Sequence, residues 1–262
     1  MTVTAIIQAR MGSNRLPGKV LLPLDNERTA LECMIDRVSQ SALIDKIVVA
    51  TTELSGDDEI ESLCKLRSWF FERGSEHDVL GRYWQSAKKY CKPKDIVVRL
   101  TSDCPVIDPH IIDLVINTYK IGNYDFVSNS LEPYSYPDGM DVEVFSYELL
   151  ENAAKVAILP SHREHVTFYF WQNPQLFSIK YLKSKRDLSR YRVTLDYDTD
   201  YIALQHIYKN FSPRRDFTLD EIILFLDSKP ELLFLDGREV RNAGWKGALK
   251  NDEHFKKMNK IS

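Results

Sequence analysis

Between Gln8 and Lys19 the chain carries three cations, Arg10, Arg15 and Lys19, and two glycines, Gly12 and Gly18, without one carboxylate. Glycines let backbone amides approach an anion closely, while guanidinium and ammonium groups add charge-assisted hydrogen bonds. The combination suits a phosphate cradle, although a solvated basic turn would share its composition. It fits neither G-x-x-x-x-G-K-[ST] nor G-x-G-x-x-G, which sets aside the P-loop and the dinucleotide fingerprint. Carboxylates that could complement bound phosphate lie far along the chain. Asp103 follows Thr101-Ser102 at the end of an apolar run, and Asp196 follows Tyr191–Leu195, with Asp198 and Asp200 close behind. Mg²⁺ takes one or two carboxylates and completes its shell with phosphate oxygens and water, so Asp103 is the first candidate ligand. Asp108, before Pro109 and an apolar stretch, reads as a helix cap, and Asp198 and Asp200 as favourable charges at a helix amino end. No serine sits in a G-x-S-x-G elbow, so no covalent nucleophile suggests itself.

These groups need a frame, and the first half of the chain supplies one in its alternation of β-branched runs with helical patterns. Val3–Ile7, Lys46–Thr51, Trp69–Glu72, Asp95–Leu100 and Asp125–Ser128 are the expected strands. Leu31, Ile35, Val38 and Ala42 share one helical face, Val79, Tyr83, Ala87 and Tyr90 a second, and Ile112, Val115, Ile116 and Tyr119 a third. Thr29 with Glu32, and Ser75 with Asp78, match the S/T-x-x-D/E pattern of a helix start. The pattern predicts an α/β fold with a mainly parallel sheet flanked by helices, whose loops at the strands' carboxyl ends bind ligand. After about residue 130 the alternation breaks at Pro133, Pro137 and Gly139. A short strand over Met140–Val144, helices over Ser146–Ala157 and Ser161–Trp171, extended segments at Phe177–Leu182 and Arg192–Leu195, and a helix over Asp198–Tyr208 are expected next. From Gly237 the tail is rich in Lys, Asn and Gly.

The formal charge of -3 and pI near 6.1 offer no global attraction to polyanions, which argues against nucleic acid or membrane as partner. No apolar run approaches the roughly 20 residues that cross a bilayer. The start of the chain has no charged segment followed by a long apolar stretch. Cys33, Cys64, Cys91 and Cys104 show no C-x-x-C spacing and read as free thiols. A cytoplasmic protein is the expectation.

The segment Ile6-Ile7-Gln8-Ala9-Arg10-Met11-Gly12-Ser13-Asn14-Arg15-Leu16-Pro17-Gly18-Lys19-Val20-Leu21 closely resembles the opening motif of the SpsF-like cytidylyltransferases, relatives of the CMP-Kdo and CMP-sialic acid synthetases. The resemblance continues through Gly74–Leu80, Arg99–Pro105, Pro137–Phe145, Arg163–Thr167 and Thr194–Asp196. It implies a Rossmann-like, GT-A-like nucleotidyltransferase fold in a single domain over 1–262, with an acceptor and dimerisation region around 130–190. It also implies a CTP site in the first loop and an aspartate-bound Mg²⁺. Arg15 and Lys19 would then stabilise charge on the transferred phosphate, with Gln8, Ala9, Arg10, Gly12, Ser13, Ser75, Thr101 and Ser102 around the nucleotide. Asp103 and, in preference to Asp198 or Asp200, Asp196 would hold the metal. At His77 the chain departs from the acidic residue usual in this branch.

The resemblance further implies a small sugar-type acceptor that receives CMP with release of pyrophosphate. Asp141 and Glu143 alternate with apolar neighbours and should share one strand face, open to sugar hydroxyls or simply to solvent. Arg163, Glu164 and His165 open an apolar helix and are candidates for the acceptor or for a homodimer interface. The stretch Phe168-Tyr169-Phe170-Trp171 is expected to pack, and its width suits a subunit contact. A sugar-1-phosphate nucleotidyltransferase would open with a more glycine-rich loop, and a glycosyltransferase would use a D-x-D motif, a spacing that Asp196-Tyr197-Asp198 also has. A non-catalytic nucleotide-binding module is the remaining alternative.

Overall fold

The computed structural model describes residues 1–25, 28–233 and 241–259. Strand β1 (Val3–Gln8) sends Val3, Ala5 and Ile7 into one apolar core and Ile6 into the other. Both faces of this strand are therefore covered, which is why it reads as an unbroken apolar run rather than as an alternation. Around it lie β2 (Lys46–Thr52), β3 (Phe70–Gly74), β4 (Ile96–Thr101), β5 (Phe126–Ser128), β6 (Glu143–Ser146) and β7 (Ile179–Tyr181). They form a seven-stranded sheet in the order β3-β2-β1-β4-β6-β5-β7, in which only β6 runs antiparallel to its neighbours among the described strands.

The chain leaves β1 toward β2 and β3, then returns to place β4 on the other side of β1. This reversal opens a crevice at the carboxyl ends of β1 and β4, the place where open α/β sheets bind ligand. Gln8 pairs with Thr101 in register there, so the basic loop and the Thr101–Asp103 segment leave the sheet side by side. The connecting helices are α1 (Ala30–Val38), α2 (Asp58–Arg67), α3 (Val79–Tyr90) and α4 (Pro109–Ile121). Thr29 and Glu32 make the expected capping box, and Asp108 caps α4 by accepting from His110 N at 2.8 Å. Ser75 differs from expectation. Asp78 is the cap of α3, accepting from Gly81 N at 2.9 Å, while Ser75 Oγ accepts from Asp78 N at 3.1 Å in the preceding turn.

The second half consists of α5 (Tyr147–Val156), α6 (Pro160–His165), α7 (Phe168–Trp171), α8 (Asp198–Phe211), α9 (Leu219–Asp227) and α10 (Ala243–Asn259). Three expectations are corrected here. The strand begins at Glu143 rather than Met140, which leaves Asp141 in the loop before it. The helix expected over Ser161–Trp171 is two short helices, broken where Val166 adopts φ 55. Arg192–Leu195 is not a regular strand: it makes one isolated bridge, Asp138 to Arg192, beside Gly139. The tail expected only to be polar carries α10, and residues 237–240 at its start lie outside the described residues.

Candidate active site

The loop after β1 is held from both ends. Met11 N donates to Asp57 Oδ1 at 2.7 Å, and Met11 O accepts from Ser13 N at 2.8 Å and Gly18 N at 3.0 Å. Gly18 has φ 69, a left-handed conformation that glycine adopts without steric cost, and it turns the chain so that Lys19 points back into the crevice. Lys19 is nearly buried. Its Nζ lies 3.0 Å from Asp103 Oδ2 and 2.8 Å from Asp196 Oδ1. Burial opposes charge on Lys19, but the two carboxylates outweigh it and hold its pKa above the ordinary lysine value. Burial likewise opposes ionisation of Asp196, yet Lys19 and Arg15 prevail and pull it down to about 2.

Backbone pairing explains how two carboxylates so distant in sequence converge. Leu195 N donates to Asp103 O at 2.8 Å, and Thr194 Oγ1 donates to the same oxygen at 3.0 Å. Gly139, at φ 102, admits this segment: a Cβ there would stand 2.6 Å from both Thr194 N and Val193 C. Asp200 accepts from Asp196 N at 2.8 Å and Tyr197 N at 3.0 Å, and it also anchors Arg192. It thereby combines the expected helix-end role with positioning of Asp196.

Two cavities meet at this pair of carboxylates. The first, about 530 Å³, is lined by Gln8, Ala9, Arg10, Gly12, Ser13, Thr101 and Ser102, all anticipated, and by Asn14, Val79 and Arg82, which were not. Gly12 lies on its wall, although a Cβ there would meet only ordinary contact distance, so the position does not need glycine for space. Ser75 is not on this wall, and its carbonyl accepts from Arg82 at 2.7 Å. The second cavity, about 260 Å³, is lined by Asp141, Glu143 and His165 as expected, and by Arg99, Asp138, Thr167, Phe168, Arg192, Asn242 and Trp245, which were not proposed as contacts. Asp103, Asp196, Arg15, Thr101 and His165 line both cavities.

Arg163 and Glu164 face the first cavity and not the second. Arg163 is already engaged, donating to Ala154 O at 2.8 Å and pairing with Asp78. His165 is pushed down to about 4 by burial and by Arg99, so it is neutral at pH 7 and offers no cation. Phe168 and Phe170 are buried in the chain's own core, which removes them from any subunit contact. Asp141 and Glu143 are not parallel on one strand face, yet both reach the second cavity. Glu143 pairs with Arg99 and accepts from Thr167 Oγ1 at 2.9 Å, while Asp141 pairs with Arg241. Burial raises Asp141 to about 7; Arg241 opposes the rise, and Asp138, Glu143 and Asp103 add to it. The Arg99, Asp138 and Arg192 positions all lay in segments legible as strand ends or motif, whereas nothing in the sequence pointed to Asn242 or Trp245.

A family model described as cytidylyltransferase matches residues 4–224. The spore coat polysaccharide biosynthesis protein SpsF of Bacillus subtilis is 34% identical over 235 residues, covering 86% of this chain and 94% of that protein. The 3-deoxy-manno-octulosonate cytidylyltransferase of Cytophaga hutchinsonii is 32% identical over 114 residues, 43% of this chain and 44% of that protein. Among solved structures, a cytidylyltransferase from Leptospira borgpetersenii superposes with a TM-score of 0.82 at 36% identity, covering 89% of this chain and 97% of that one. With the basic loop, the paired carboxylates and the sheet reversal in place, the chain belongs to the cytidylyltransferase family and is a CTP-dependent nucleotidyltransferase.

Proposed function

We propose that the enzyme transfers CMP from CTP to a hydroxyl of a carboxylated sugar, and that Asp103 and Asp196 hold Mg²⁺ for this reaction. The observation that carries the reading is the position of these two carboxylates at the junction of the two cavities, beside the basic loop. The nucleotide then occupies the larger cavity and the acceptor the smaller, with the α-phosphate between them. Both carboxylates contact Lys19 Nζ, so they lie close enough together for one ion to be shared between them. Among the described residues no group of three or more His, Cys, Asp or Glu forms a closed metal site. Two carboxylates fit Mg²⁺, which draws its remaining ligands from phosphate and water. When bound, the ion would offset charge developing on the α-phosphate and on departing pyrophosphate. Arg15 and Lys19 would supply fixed positive charge to the same oxygens.

Support for the acceptor class comes from what the relatives are named for, polysaccharide biosynthesis in one and a sugar acid in the other. Free Cys33, Cys64, Cys91 and Cys104 fit a reducing compartment, and we place the enzyme in the cytoplasm. No described helix is long and apolar enough to cross a membrane. A homodimer through the 130–190 region belongs to the same proposal: Val156, Ile158 and Leu176 leave apolar side chains exposed there. Sedimentation velocity reads it, and a purely monomeric chain removes it.

Two measurements test the central reading. With Mg²⁺ present, CTP at about 100 times its Kd should add about 2.7 kcal/mol of apparent stability, more than ATP, GTP or UTP at equal concentration. A preference for UTP or GTP would remove the cytidylyl assignment. Mass spectrometry of the product should show one phosphate between cytidine and sugar, and a diphosphate linkage would move the acceptor to the sugar phosphates.

A further inference from the structure

The stretch that matches the family ends at residue 224, yet the second cavity has a wall built from beyond it. Arg241 pairs with Asp141, donates to Tyr136 O at 3.0 Å, and stacks its guanidinium 4.2 Å from the Tyr134 ring centroid. Asn242 Nδ2 donates to Tyr134 Oη at 2.9 Å. In the first turn of α10, Trp245 lies with ring centroids 5.3 Å from Trp171 in a stacked pair and 5.0 Å from Phe168 in an edge contact. Farther along the helix Asp252 accepts from Ser161 N at 2.9 Å, which fixes α10 against α6.

The polar wall of this cavity has its charges matched internally: Asp141 with Arg241, Glu143 with Arg99, and Asp138 with Arg192. Such a wall hydrogen-bonds many hydroxylated molecules about equally. Trp245, partly exposed on the cavity wall, supplies a flat apolar surface, and one face of a pyranose ring is likewise largely C–H. A tryptophan covers that face with little loss of rotamer freedom. We propose that Trp245, held by α10, is the specificity-determining wall for the acceptor, stacking on the apolar face of its sugar ring while Asp138 and Asp141 meet its hydroxyls. This inference rests on the acceptor reading above. It separates acceptor choice, on the C-terminal helix, from nucleotide handling, on the first loop and the two carboxylates.

The test is pyrophosphate release from CTP by wild type, Trp245→Ala and Trp245→Phe, with a panel of neutral, amino and acidic monosaccharides. For the sugar that wild type uses, Trp245→Ala should raise KM by about tenfold or more, with KM for CTP changed by less than about twofold. Trp245→Phe should recover most of the loss. Exciton-coupled circular dichroism from the Trp171–Trp245 pair should be present in wild type and absent from both variants. An unchanged acceptor KM in Trp245→Ala overturns the proposal, as does a parallel rise in both KM values or a wild type without the exciton signal. A wild type that CTP stabilises but that turns over no sugar in the panel overturns the acceptor reading instead, and the wall falls with it.

Discussion

Lys19 must stay charged where burial opposes charge, and Asp103 and Asp196 are what make this possible. Removing either side of the arrangement should therefore affect the reaction before the fold. Lys19→Ala and Asp103→Asn are each expected to lower kcat by about a hundredfold or more, the usual loss for one preorganised electrostatic contact. Stability of the same variants should fall far less than kcat, because Arg15 and Arg192 still pair with Asp196. Turnover near normal in either variant would sink the assignment of the site. Asp200→Ala is a different case, since its carboxylate is buried and accepts from two backbone amides and Arg192. Loss of a buried, hydrogen-bonded charge partner costs about 3 kcal/mol, and urea unfolding should show a deficit of that order together with reduced kcat. Lys19 and Asp103 were legible because a cation or carboxylate just past a strand end has few structural reasons to be there, whereas Asp196 stood out from Asp198 and Asp200 only through the family resemblance. The engagement of Arg163 by Asp78 was not, because nothing in a sequence says which charge a flexible guanidinium finds first.

At the scale of elements, two local irregularities position the site. Gly139 accepts a close approach of Val193 and Thr194 that a methyl group would block. Gly139→Ala should destabilise the protein by roughly 2 kcal/mol or more through overpacking and a disfavoured positive φ. The same change should weaken metal binding, because Asp196 follows the displaced segment; unaltered Mn²⁺·CTP affinity in a folded variant would contradict that coupling. The second irregularity is the break at Val166 between α6 and α7, which leaves His165 stacked on Phe168 at 4.4 Å and turned into the cavities. His165 is held down near 4 in the folded protein, whereas an unfolded histidine titrates near 6.5. Between these values the unfolded chain binds the extra proton, so stability attributable to His165 is present above about pH 6.5 and lost as pH falls toward 4. Replacing it by Gln should remove that loss, and the variant should gain on wild type by about 2 kcal/mol between pH 7 and 4.5 in denaturant titrations. Equal pH slopes for the two proteins would show that the ring is not shielded. The apolar spacing of Ser161–Trp171 is compatible with one continuous helix, which is why this break does not announce itself in the sequence.

Over the whole molecule, the decisive event is the reversal of strand order that brings the end of β4 beside the end of β1 and, through Asp103 O, draws in the segment from 191 to 196. α10 then closes one wall of the smaller cavity. Asp196 was singled out through the family resemblance, while by itself the sequence determined the class of fold and the side of the sheet that carries the basic loop and Asp103. Those features rest on short-range physics: period-two and helical apolar spacing, glycine where the backbone must turn, and charge placed where a strand gives way to a loop. What only the tertiary structure decided was partnership. Asp141 reached the smaller cavity from a loop and not from a strand, Arg163 turned to the larger one, His165 lost its charge to burial, and Trp245 came to line the smaller cavity from the far end of the chain. Each of these depends on contacts between segments far apart in the chain, and long-range contacts are set by how whole elements pack, which no local pattern of residue types encodes.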